Sequence, residues 1–124
     1  MTSNLKDLLS YLSDVVTREQ FQLSHLMAQD TALCAEINRH RDSARRRSSN
    51  DSIDAALELN HQRVQVWTTQ EITRLNMTRA ELLVQIEGQK ESLKKATGQH
   101  ITLQKKMELA AHKERQKARR KFIP

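Results

Sequence analysis

Read in alternating steps of four and three, the first forty positions give Leu5, Leu9, Leu12, Val16, Glu19, Leu23, Leu26, Asp30, Leu33 and Ile37, eight of ten apolar. Such steps keep one narrow stripe on one side of a helix. That is the pattern of a coiled-coil seam rather than of the broader apolar face a globular core needs. A second ladder follows the same steps through Ile72, Leu75, Arg79, Leu82, Ile86, Gln89, Leu93, Ala96, His100, Leu103, Met107 and Ala110, nine of twelve apolar. Upstream of it Ile53, Leu57, Asn60, Val64 and Trp67 hold heptad spacing, and the step from Trp67 to Ile72 is one residue too long. The stripe is therefore expected to shift phase near Trp67, as in a stutter that locally unwinds a supercoil.

Between the ladders lies Arg39–Ser52, RHRDSARRRSSNDS. Its second half strings together poor helix formers that are good N-caps, so the chain is expected to stop one helix there and start another. This predicts an all-α fold of a single domain. Helix one runs over about 4–46, a turn over about 47–51, and helix two over about 51–120. Ser3, or Asn4 with Asp7, suits the first cap, and Asp51 with Asp54 suits the second. Short connections between long helices favour an antiparallel pair. The expectation is thus an antiparallel coiled-coil hairpin with Leu12, Val16, Leu23, Leu26 and Leu33 facing helix two. Helix one then pairs mainly with residues before about Lys95, and the longer second helix ends in an overhang.

Composition agrees with long helices. Gly is 2, Pro is 1, and aromatics are 3%: Tyr11, Phe21, Trp67 and Phe122. Almost nothing interrupts the backbone, and turns usually need Gly or Pro. Charge adds a polarity to the hairpin. The first 104 residues balance at 13 basic and 13 acidic, whereas Lys105–Lys121 carries eight Lys/Arg against two acids, so the whole excess of +6 sits in the overhang. Cys34 is the one cysteine, which excludes an intrachain disulfide and suits a reducing compartment. No apolar run approaches the ~18–20 residues of a membrane span, so no membrane insertion is expected. Lys6 and Asp7 among the first leucines do not read as a signal peptide. These features together suggest a cytoplasmic chain.

Candidate chemistry is sparse. His25, His40, His61, His100 and His112 are scattered, no pair lies four apart, and one cysteine makes zinc a poor fit. No glycine-rich phosphate loop occurs; Gly88 and Gly98 stand alone on outward heptad positions. No catalytic residue, metal or cofactor is expected. Arg79 and His100 interrupt the apolar ladder and read as register-setting or snorkelling residues. Trp67 reads as a core or staple residue, and Cys34 as a small apolar one. Two basic groups remain as candidate contacts. Arg39, Arg41, Arg45, Arg46 and Arg47 sit at the expected tip, where cations also suit the free carbonyls of a helix end. The overhang, KKMELAAHKERQKARRK, holds cations that repel one another, and so points to an acidic partner.

The run HQRVQVWTTQEITRLNMTRAELLVQIEGQKESLKKATGQHITLQKK, followed by KERQKARRK, resembles the second helix of FliJ-type proteins. These are the small export-apparatus proteins of flagella and type III secretion. LKDLLSYLSDVVTREQFQLSHL is similar to their opening helix. The resemblance implies a non-enzymatic stalk. Its end carrying the chain termini enters the export ATPase hexamer, and the remainder touches the export gate, a membrane protein, and escorts export chaperones. Carried over by resemblance, the contact residues are Lys105, Lys106, Arg115, Lys117, Arg119 and Arg120, and the place is peripheral at the export apparatus. Two other readings stay open. One is a nucleic-acid-binding hairpin using tip and overhang, although no aromatic stacking groups accompany the charges. The other is a generic coiled-coil scaffold.

Overall fold

The computed structural model describes residues 2–48 and 55–122. Two helices account for them: α1 (Thr2–Ser48) and α2 (Ala55–Lys121). They pack against each other without strands, as an all-α hairpin. The expected turn at 47–51 overlaps α1 at Arg47 and Ser48; its remainder, with Ile53 and the Asp51 and Asp54 cap, lies outside the described residues. Ser3 and Asn4, expected as caps, are inside α1, which is already helical at Thr2. Arg45, Arg46 and Arg47 form the last turn of α1, where positive charge complements the free carbonyls. At the far end of α2 the amide of Phe122 donates to the Arg119 carbonyl at 3.1 Å.

Both helices run unbroken because little opposes them. Gly88 and Gly98 are the glycines of α2, and a Cβ on either meets nothing within 4 Å, so neither marks a close approach. Threonine, a weak helix former, is accommodated by returning its hydroxyl proton to its own helix. Thr17, Thr31, Thr69, Thr73 and Thr78 donate to Ser13, Met27, Gln65, Thr69 and Arg74 carbonyls at 2.9–3.1 Å.

The chain divides into two compact units, Ser24–Glu87 and Met1–Leu23 with Gly88–Pro124. In Ser24–Glu87 the seam buries Ile37, Leu75, Leu82 and Ile86, with Leu26, Leu33 and Ile72 half-buried beside them. Contacts descend α1 as they ascend α2, Arg47 to Thr68 and Asp30 to Arg79, so the pair is antiparallel. Full burial of each such aliphatic side chain stabilises by ~1.5–3 kcal/mol.

Two expectations fail in this unit. Trp67 is not on the seam. It is 54% exposed and stands in a T-shaped arrangement with the His40 ring, ring centres 5.8 Å apart at 72°. Leu57, Asn60 and Val64 are exposed as well. The seam instead takes His61 and Thr68, and Thr68 is 2% exposed. The expected phase shift near Trp67 is absent: Thr68 and His61 lie four and eleven residues before Ile72, in step with the later ladder, so one uninterrupted heptad stripe puts a threonine at a buried position.

In Met1–Leu23 with Gly88–Pro124, Leu9, Leu12, Val16 and Leu23 of α1 are half-buried, and Ala96 of α2 is buried. Leu5 is 38% exposed. Coverage of α2 does not stop near Lys95: Ala96 is 6% exposed, and His100, Leu103 and Met107 are half-buried. The ladder continues apolar to Met107, so α1 has something to bury against for three further turns. From Glu108 through Phe122 every residue is exposed.

Candidate functional site: polar rungs and a bare basic end

The polar residues that interrupt the ladders meet one another. In Ser24–Glu87, Arg79 Nε donates to Asp30 Oδ1 at 2.8 Å, a part-buried ion pair across the seam. The carboxylate holds the Arg79 guanidinium further toward its charged form, first by that hydrogen bond and then by its charge, with the Cys34 sulfur adding to it. Arg47 donates from its terminal nitrogen to Thr68 Oγ1 at 2.9 Å and from Nε to the Ser43 carbonyl at 3.2 Å. Thr68 in turn donates to the Val64 carbonyl at 2.8 Å. The buried hydroxyl is therefore satisfied as both donor and acceptor, which removes the cost of burying it. In the other unit Gln89 donates to the Glu19 carboxylate, and also to the Glu19 carbonyl at 3.1 Å. A slip of either pairing leaves a charge or amide facing leucines, so these rungs fix register, as polar residues in coiled-coil seams do.

The tip arginines do not form one cluster. At 100° per residue, Arg39 and Arg46 lie on one flank of α1 and Arg41 and Arg45 on another. Arg39, Arg41, Arg45 and Arg46 are exposed, whereas Arg47 is half-buried and taken up by the Thr68 rung.

The overhang residues named from sequence, Lys105, Lys106, Arg115, Lys117, Arg119 and Arg120, are all exposed on α2. They are not on one face. Lys106, Lys117 and Arg120 share a stripe with Lys113, which sequence reasoning had counted but not singled out. Lys105, Arg115 and Arg119 lie on the opposite flank. Arg115 Nε returns to the Ala111 carbonyl at 3.3 Å, and Gln116 bonds the His112 ring at 3.2 Å. The end of α2 is thus a helix with cations around most of its circumference. The signal for Lys113 was present in its spacing of seven from Lys106 and four from Lys117.

Open grooves flank the seam. One of about 420 Å³ lies between Ala32, Leu33, Thr78 and Leu82, with Glu36 and Glu81 at its margin and the Thr78 hydroxyl donated to the Arg74 carbonyl. Among the described residues no three His, Cys, Asp or Glu converge to hold a metal, and no helix is long and apolar enough to cross a membrane. No protein-family profile, curated protein or solved structure matches this chain.

Proposed function

We propose that the chain is a non-enzymatic coiled-coil adaptor whose bare basic end of α2 seats in an acidic protein partner. In its specific form it is the stalk of a flagellar or type III export ATPase. The exposure of every residue from Glu108 to Phe122, in the segment that carries the whole charge excess, supports this reading best. A helix with cations on opposite flanks suits an acceptor that encloses it, such as the central opening of a hexamer. A docked duplex meets one stripe only. The export gate and export chaperones, as further partners, follow from the resemblance to FliJ-type proteins.

The test reverses Arg115, Lys117, Arg119 and Arg120 to Glu and measures both folding and stimulation of a purified export ATPase. Exposed charges move stability by less than ~0.5 kcal/mol each, so the melt by circular dichroism stays close to that of the parent. Stimulation is lost, because like charges across an interface cost several kcal/mol. Undiminished stimulation by the reversed protein ends the stalk reading. Binding to duplex DNA that falls log-linearly with salt, by ~0.9 per neutralised phosphate, and vanishes in the reversed protein replaces it with nucleic acid.

A further inference from the structure

The outward face of α2 in Ser24–Glu87 has a pattern that neither the seam nor the basic end uses. Leu59, Val66, Met77 and Val84 are 53%, 58%, 65% and 73% exposed. Their spacings are seven, eleven and seven, each close to a whole number of turns, so they fall on one line along the helix. The positions flanking that line are Gln62, Thr69, Thr73 and Ala80 on one side, all uncharged, and Arg63, Gln70, Arg74 and Glu81 on the other. In a chain with 29% charged residues, a solvated helix face is expected to carry charge on both sides of such a line, and from Leu59 to Val84 this one carries it on one side alone. Thr69 and Thr73 already donate their hydroxyls to Gln65 and Thr69 carbonyls, so covering them strands no proton. An open groove of about 460 Å³ on the same face is lined by Gln62, Gln65, Val66, Thr69 and Gln70.

We propose that this face binds a second copy of the chain, α2 against α2, antiparallel about a two-fold axis level with the Glu71–Ile72 peptide. The symmetry of the spacing selects this occupant. Read backwards, seven, eleven and seven is the same series. One rotation therefore sets Leu59 against Val84 of the second copy and Val66 against Met77 of the second copy, each contact occurring twice. Gln70 meets Thr73 at the axis. The flank agrees: Arg63 and Glu81 lie on the same side of the line, and the antiparallel register brings each to the other's counterpart, two opposite-charge pairs per dimer, while Arg74 between them is already paired with Glu71 at 2.8 Å. An unrelated partner helix has no need of a palindrome. At the two ends Glu58 approaches Glu87 of the second copy, and four large apolar side chains per copy is a small core, so affinity is micromolar.

Sedimentation equilibrium on the full chain tests this. The expected result is a monomer–dimer equilibrium with a dissociation constant on the order of 10 µM, resolved between about 5 and 500 µM protein. Val66→Arg with Met77→Arg leaves the helical circular dichroism unchanged, both sites being mostly exposed, and weakens association at least about fiftyfold. Phe21→Arg, on an exposed site of α1, changes nothing. Arg63→Glu and Glu81→Arg each weaken the dimer about tenfold, two exposed pairs being lost at once. The two together restore it. A single monomeric species over the whole range overturns the proposal, as does a dimer indifferent to Val66→Arg with Met77→Arg. A dimer in which Arg63→Glu and Glu81→Arg combined remain weak overturns the antiparallel register.

Discussion

In Ser24–Glu87 the seam closes over Ile37, Leu75, Leu82 and Ile86, each 7% exposed or less, whereas in Met1–Leu23 with Gly88–Pro124 the same spacing buries, among apolar residues, Ala96. The polar rungs differ in kind as well. The first unit crosses its seam with an ion pair and an arginine–threonine bond, the second with a glutamine on a glutamate. Heptad periodicity is therefore only a placement rule. What it places sets how tightly the helices close, and an alanine and a histidine at consecutive seam positions give α1 far less to bury than two leucines and an isoleucine.

The largest expected effect follows from that contrast. Leu82→Ala removes a buried side chain and is expected to cost ~2–4 kcal/mol in chemical denaturation. Leu12→Ala, at a half-buried position, is expected to cost about 1 kcal/mol. Equal losses would break the comparison. Next, Asp30→Arg sets two cations across a part-buried seam and lowers the melting temperature, and Arg79→Asp alone does so by setting two carboxylates there. Combining them recovers most of the loss if the rung acts as a pair, which a double-mutant cycle reads directly.

Hydrogen exchange sharpens the comparison without mutation. Amides near Leu75–Ile86 are expected to exchange at least about tenfold more slowly than those near Ala96–Leu103, because local opening is easier where less apolar surface is covered. The smallest effect lies outside both seams. The half-buried Glu71 carboxyl is held below its ordinary range, first by the hydrogen bonds from Arg74, at 2.8 Å for the closest, and then by the Arg74 and His40 charges. A lowered folded pKa stabilises above the ordinary carboxylate pKa and loses that contribution as pH falls through the lowered value. In an NMR titration Arg74→Gln should raise the Glu71 pKa toward ordinary while barely moving the melt at neutral pH.

Most of the seam was legible from spacing, because burial in a two-helix pair follows period alone. Of the ladder positions on α1 only Leu5 is exposed, and of those from Ile72 to Ala110 on α2 only Ala110, whereas upstream Leu57, Asn60, Val64 and Trp67 are all exposed. Trp67 was misplaced for a physical reason. A ladder read by apolarity prefers the tryptophan, while the later ladder extended upstream without a break selects Thr68, which is short and has its hydroxyl satisfied. The pairing of the rungs needed the register between helices, which no single ladder contains. Even so each rung was latent as a complementary pair among the polar ladder positions, Asp30 with Arg79 in one unit and Glu19 with Gln89 in the other. At the candidate site the sequence located the basic end, and the circumferential spread of its cations appeared only once the helix was drawn to Lys121.

The rungs also constrain how the chain can change length. Asp30 and Arg47 are pinned to Arg79 and Thr68, so the α1 and α2 segments between those pairs are gauged against each other. Loss of one heptad from α1 between Asp30 and Arg47 preserves its stripe and its helicity, yet it shifts Arg47 about 10 Å along the seam from its present register with Thr68. Only a matching loss from α2 between Thr68 and Arg79 brings them back. Insertions and deletions in this hairpin are therefore tolerated as coordinated pairs, one in each helix, and a length difference in one helix alone is as disruptive as a charge in the core.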